Sequence, residues 1–385
     1  MTMGLIEPAW YRDPQWLQRE HEQLFGCCWI FAGLLFELDG NGHRVMTIGA
    51  TEIIVQRDSG GRPRAFLNVC SHRHAQLSPI GLHGGPLRCP YHGWVYDRAG
   101  VPVGIPQPQA FAAVTADPQA HRLTEFACEA AGQFVFVRLS EQGPSLADYL
   151  GDEYAFLSRA SSGSDRVLDE FEAPVSANWK VIIENALEGY HVPAVHGQTF
   201  MQVDGMQRGI EVPVDVFDHP LHSSMTHAAA PAWLARFDRS MAPKIGRWPW
   251  RFDHYTHHHV FPNLTVTSFL GYSFHVQRFD PIDATSTRVH SRTLGAPFEG
   301  QTEVGAKLIE RIYADGHAFT HRVFDEDGAI CRRVQAGLAQ ARRRAVLGDG
   351  LEQRVAHFQR AYAQIMADAT GAERGCAADA QRGKI

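Results

Sequence analysis

Cys70-Ser71-His72 and Cys89-Pro90-Tyr91-His92 each set one thiol beside one imidazole in a Gly- and Pro-flanked turn, with residues 73 to 88 between them. A tetrahedral zinc site can use the same residue types. Zinc fingers, however, keep like ligands together, as C-x2-C and H-x3-H pairs, whereas here each loop offers one of each. That mixture suits a two-iron cluster, with two sulfurs on one iron and two nitrogens on the other. Such ligation raises a [2Fe–2S] potential well above that of an all-cysteine ferredoxin. Gly84, Gly85 and Gly93, with Pro86 and Pro90, permit the tight loops that a cluster needs.

The surrounding texture is that of a small all-β domain. Arg44 to Ile48, Glu52 to Gln56, Arg64 to Val69 and Gln133 to Val137 are short β-branched or aromatic runs, separated by Gly, Asn, Asp and Pro clusters. The expected organisation is a helical segment over 1–37 packing on the second domain, with a helix opening after Asp13. A β domain over 38–145 follows, then a linker over 146–166. The second domain spans 167–370 and a frayed tail 371–385. Helical patterns over Trp179–Tyr190 and Glu303–Arg344 enclose strand-like runs between Glu211 and Arg292, which makes the second domain α+β.

The second informative stretch is Glu184-Asn185-Ala186-Leu187-Glu188-Gly189-Tyr190-His191-Val192-Pro193-Ala194-Val195-His196. Read as one helix, Glu184, Glu188 and His191 share a face, with Asn185 beside them. Pro193 prevents normal continuation, so His196 comes from the following turn. This excludes the unbroken helix of an H-E-x-x-H zinc protease. Two imidazoles and one carboxylate on an octahedral iron leave positions open for dioxygen and substrate. Asp325, Glu326 and Asp327 are the carboxylate candidates. Asp327 shares a helical stripe with Ile330, Val334 and Leu338, which predicts that it faces the core, and Asp325 is the runner-up.

On these residues the chain resembles the Rieske non-heme iron oxygenases, the α subunits of aromatic ring-hydroxylating dioxygenases. The resemblance rests on Asn68 to Arg73, Cys89 to Trp94, Asn178-Trp179-Lys180, Glu184-Asn185, Tyr190-His191, His196, Phe261-Pro262-Asn263 and Glu326-Asp327 with Gln335 downstream. It implies an N-terminal all-β Rieske domain and a C-terminal, helix-grip-like catalytic domain with an antiparallel sheet. Cys70, His72, Cys89 and His92 would hold the [2Fe–2S] cluster, and His191, His196 and Asp327 a mononuclear Fe(II). Glu188 and Asn185 would be catalytic, with Glu188 relaying electrons from His92 of a neighbouring subunit in a head-to-tail homotrimer. Glutamate at 188 looks like the subgroup acting on choline, carnitine or glycine betaine. One departure is His74, where the family carries a small residue, so the first loop is expected to be conformed differently.

No G-x-G-x-x-G follows a strand, and Gly40-Asn41-Gly42 lacks the third glycine, so no bound flavin or nicotinamide is expected. Electrons would then come from a partner flavin reductase, with or without a ferredoxin, for the hydroxylation or oxidative demethylation of a small organic molecule with O2. A Rieske electron carrier or redox sensor is the competing reading. Charged residues at 20%, hydrophobic residues at 44% and a net charge of -6 fit a globular protein and argue against a nucleic-acid binder. Residues 1–15 hold no apolar run, and Cys27 to Phe36 is about half the length a bilayer requires. No membrane association and a cytoplasmic location are expected, with Cys27, Cys28, Cys128, Cys331 and Cys376 structural. The run His254 to His259 would alternate its side chains if extended, so it is not expected to bind one metal jointly.

Overall fold

The computed structural model describes residues 2–40, 42–164, 167–202, 215–240, 242–246, 250–296, 298–300 and 302–368. The chain divides into two compact units, one made of residues 20–162 and the other of residues 1–19 and 163–371. Cys376 and the frayed tail expected over 371–385 lie outside the described residues. Among the described residues no helix is long and apolar enough to cross a membrane.

The first unit is built on antiparallel strands β1 (Ile30–Leu34), β2 (His43–Ile48), β3 (Thr51–Arg57), β4 (Pro63–Leu67) and β5 (Gly81–His83). A small three-stranded sheet adds β6 (Leu87–Arg88), β7 (Val95–Tyr96) and β8 (Pro102–Gly104), and the chain returns through β9 (Glu125–Ala131) and β10 (Phe134–Arg138). The main sheet runs β1-β10-β9-β4-β3-β2-β5. The first cysteine loop therefore leaves β4 and the second joins β6 to β7. Both thiols sit in one apolar cluster with Val45, Ile54, Phe66, Leu77, Trp94 and Tyr96. Buried Asn68 ties the first loop down. Its amide donates to Glu52 Oε2 (3.0 Å) and Ser78 O (2.8 Å), and its carbonyl accepts from the Leu77 and Ser78 N–H groups.

Two boundaries differ from expectation. Residues 20–37 belong to this unit, because the apolar run ends in β1, whose five residues are all buried against β10. The stretch 146–166 is not a linker: helices over Leu146–Leu150 and Asp152–Ala160 bury Leu146, Leu150 and Leu157 completely. Ser161 Oγ accepts from Gln133 N–H at 2.9 Å, so that apolar packing and this bond outweigh the linker-like Ser and Gly composition nearby.

The second unit contains β11 (Val167–Val175), β12 (Asp215–Asp218), β13 (Ser223–Ala228), β14 (His254–Val260), β15 (Leu264–Phe269), β16 (Ser273–Asp283) and β17 (Ser286–Gly295). They form one antiparallel sheet in the order β11-β17-β16-β15-β14-β13-β12. Helix α1 (Trp179–Ala186) packs on the 36-residue α2 (Glu303–Leu338) and on β16, while α3 (Gln353–Asp368) packs on β13. This is the α+β, antiparallel architecture expected for the catalytic half. The short helix Pro14–Arg19 starts at Asp13, whose carboxylate accepts from Gln15 N–H. Ahead of it, Tyr11 donates to Glu184 on α1 at 2.7 Å, and its ring, with those of Trp179 and Tyr362, surrounds the buried Lys180 ammonium.

Candidate metal centres

The two cysteine loops close alike. His74 N–H donates to Cys70 O and Gly93 N–H to Cys89 O, both at 3.0 Å, and both closing residues are left-handed, φ 60° at His74 and 75° at Gly93. The first loop thus closes as the second one does. Exposed His74 takes the conformation that glycine takes in the second loop, a cost of about 1–2 kcal/mol for a residue with a Cβ.

The ring of His72 stacks on Trp94 at 4.7 Å and lies 4.7 Å from the ring of His92. Tyr96 OH lies 3.0 Å from Cys70 Sγ and accepts from Ser71 N–H. Burial pushes the Cys70 thiol upward, partly offset by the Tyr96 hydrogen bond. Nδ1 of His72 and Nδ1 of His92 are shut away from solvent with no hydrogen-bond partner. Two orphaned imidazole nitrogens beside two buried thiols are costly as they stand and suit cluster iron.

The second centre forms where the expected long helix fails. α1 ends at Ala186, and a separate one-turn helix, Val192–Val195, follows with Pro193 in its first turn. Proline is at home there, because its missing N–H would be unsatisfied anyway. His191 and His196 are the residues that flank this turn. Glu184 consequently does not share a face with Glu188 and His191. It is buried against Tyr11 and Gln359, and burial raises its pKa despite those two hydrogen bonds. Asn185 is the α1 residue that reaches the centre, its amide donating to Asp327 Oδ1 at 2.9 Å.

The acid brought to the two imidazoles is Asp327, while Asp325 is exposed. The helical stripe proposed for it is displaced: Gly328, Cys331 and Gln335 are buried, whereas Val334 is 45% exposed. Asp327 stands at the edge of the true stripe, beside Gly328. Its Oδ1 lies 3.5 Å from His191 Nε2 and 3.1 Å from His196 Nε2, and the two Nε2 atoms are 3.3 Å apart. Behind them, His191 Nδ1 meets Glu188 Oε1 at 2.5 Å and His196 Nδ1 meets Glu326 Oε2 at 2.7 Å. Glu188 Oε2 also accepts from the backbone N–H of His191.

With each Nδ1–H given to a carboxylate, each Nε2 presents a lone pair. Two lone pairs and a carboxylate oxygen then converge, an arrangement that a cation resolves. The same three groups also polarise each other. Burial would lower His191, but Asp327 and Glu188 lift it to about 9; burial would raise Asp327, but the two imidazoles hold it at about 2. Among the described residues this is the sole cluster of three or more potential metal ligands at such spacing. The histidine run lies in β14, where His257 and His259 are buried on one face and half-buried His258 bonds Thr256.

Comparison with known proteins agrees with this arrangement. Residues 158–368 match the ring hydroxylating alpha subunit (catalytic domain) family, and residues 28–123 match the Rieske [2Fe-2S] domain. The chain belongs to the ring-hydroxylating α-subunit family. It therefore carries a Rieske [2Fe–2S] domain and a non-heme iron catalytic domain. The glycine betaine monooxygenase oxygenase subunit of Chromohalobacter salexigens is 34% identical over 50% of this chain and 43% of its own length. The anthranilate 1,2-dioxygenase large subunit of Acinetobacter baylyi is 34% identical over 48% of this chain and 41% of its own. The alignments thus span less than half of these relatives. Among solved structures, the quaternary ammonium Rieske monooxygenase CntA with L-carnitine superposes with a TM-score of 0.72 at 21% identity, over 95% of both chains. Naphthalene 1,2-dioxygenase from Rhodococcus sp., bound to indole, gives 0.73 at 20% identity, over 94% of both chains. These two likenesses establish the fold.

Sequence reasoning missed Tyr96, the hydroxyl on Cys70, and Thr199, which donates to Glu326 at 2.6 Å. Glu326, a ligand candidate by sequence, stands instead behind His196.

Proposed function

We propose that this chain is the terminal oxygenase component of a Rieske system, in which His191, His196 and Asp327 hold the mononuclear iron. The observation that carries this reading is the convergence of two Nε2 lone pairs and one carboxylate oxygen, with each imidazole backed by its own glutamate. Cys70, His72, Cys89 and His92 hold the cluster, which when bound passes one electron at a time. The mononuclear iron, when bound, supplies open positions for reducing dioxygen next to the substrate. The protein's part is to fix both imidazole tautomers, to orient Asp327 through Asn185, and to keep both centres loaded.

Glu188 joins His191 to the surface-facing segment around Tyr190, which is 58% exposed. In our reading it carries electrons from His92 of a neighbouring copy in a homotrimer. A partner flavin reductase, with or without a ferredoxin, supplies them, and a cytoplasmic setting would keep the cysteines reduced. The substrate is a small aromatic or quaternary ammonium compound, the two classes named among its relatives. Glutamate at 188 favours the quaternary ammonium class. The reaction is hydroxylation or oxidative demethylation. Glu188→Gln preserves the shape of the His191 contact and removes its charge. That variant is expected to load both metal centres yet lose reductase-driven oxygen uptake coupled to product; wild-type coupled turnover would defeat the relay.

A further inference from the structure

Glu188 backs His191 from three residues away, but the carboxylate behind His196 arrives from a distant helix. Glu326 and Asp327 are neighbours on α2, roughly 100° apart around its axis. They grip one imidazole from both ends: Glu326 Oε2 on Nδ1 at 2.7 Å and Asp327 Oδ1 at Nε2, 3.1 Å away. Thr199 Oγ1 donates to the same Glu326 Oε2 at 2.6 Å. Thr199 is 2% exposed, and its backbone N–H donates to His196 O at 3.2 Å. An oxygen that accepts from two donors spends its lone pairs on both. His196 is thereby fixed in the Nδ1–H tautomer, with Nε2 free to bind metal.

We infer that Glu326 is the positioning residue of His196: with Thr199 holding its carboxylate, it sets the tautomer and donor strength of that ligand and so governs metal affinity at the mononuclear centre. This rests on the iron-site reading of His191, His196 and Asp327. Both glutamates back an imidazole, but electron passage is read for Glu188 alone, and the geometry of the two pairs differs. The Glu188–His191 pair is local to one turn of chain, whereas the Glu326–His196 bond ties the segment after α1 to α2.

The test uses full-length protein with its Rieske cluster intact and its mononuclear iron removed by chelation, titrated anaerobically with Fe(II) and separately with Co(II). Glu326→Gln is expected to lose about 10–100-fold in affinity for both ions and to change the Co(II) EPR spectrum. Thr199→Val should lose less, in the same direction, and exposed Asp325→Asn nothing. The melting temperature of each metal-stripped variant should equal that of the stripped wild type. Unchanged affinity in Glu326→Gln overturns the inference. So does a stripped melting temperature that falls in step with affinity, because Glu326 would then merely hold the fold. If the wild type binds neither ion, the iron-site reading itself fails.

Discussion

The two candidate metal centres of this chain are built by opposite routes. The first takes its residues from two loops that close with the same backbone hydrogen bond and the same left-handed residue, so its geometry is local and repeated. The second takes two imidazoles flanking a one-turn helix and an acid from a 36-residue helix far along the chain. Local closure makes a site robust to changes elsewhere. Convergence makes it depend on how a sheet and several helices pack.

The largest effect should come from Asp327→Ala. It leaves two Nε2 atoms 3.3 Å apart with no carboxylate between them. Mononuclear iron should be lost while the cluster's visible absorption is retained, as read by iron analysis and optical spectra; loss of both would show that the centres are not independent. Acid should next separate the second unit's sheet from the loops. Burial holds His275 at about 4, and burial with the nearby Arg354 charge holds His257 well below its usual range. His259 is also held low, chiefly by burial. These imidazoles are neutral when folded, so their contribution is complete above the unfolded pKa of about 6.5 and declines as pH falls below it. His275 alone should cost about 2 kcal/mol at pH 5, and His275→Gln should flatten the denaturation midpoint between pH 7 and 5.

Tyr96→Phe removes the hydroxyl at Cys70 Sγ and probes the first centre alone. A hydrogen bond to a cluster thiolate favours the more negative, reduced state, so voltammetry should show a lower cluster potential with mononuclear iron affinity unchanged. The smallest effect is His74→Gly. It should stabilise the first unit by about 1 kcal/mol in chemical denaturation, because the left-handed strain is relieved at an exposed side chain.

The same contrast explains what could be read in the sequence. Cys70, His72, Cys89 and His92 are legible because spacing and flanking glycines define each loop locally. His191 and His196 were legible as a pair around Pro193, although proline begins a helical turn there and does not merely end one. Glu184 was misplaced, since nothing in periodicity reveals that α1 stops at Ala186. The stripe assigned to α2 slipped because Ile330 and Val334 look more apolar than Gly328 and Gln335. Gln335 is nevertheless the buried one, accepting from Asn178 N–H and donating to Tyr11 O. The Ser-, Gly- and Asp-rich residues 158–166 point to a linker, but the stretch 146–160 ahead of and into them forms two helices on buried leucines. Three further histidines have places in the second unit: His222 accepts from Phe261 N–H, His257 contacts Arg354, and His275 bonds Ser291.

A Rieske cluster and a separate mononuclear iron in one chain are read together by EPR of the purified protein, first reduced with dithionite and then exposed to nitric oxide as a spin probe, alongside metal analysis. The expected result is a Rieske-type signal on reduction, a distinct high-spin signal with nitric oxide, and loss of only the latter in Asp327→Ala. A colourless, EPR-silent protein containing zinc, or a Rieske signal with no nitric oxide response from iron-replete protein, would contradict it.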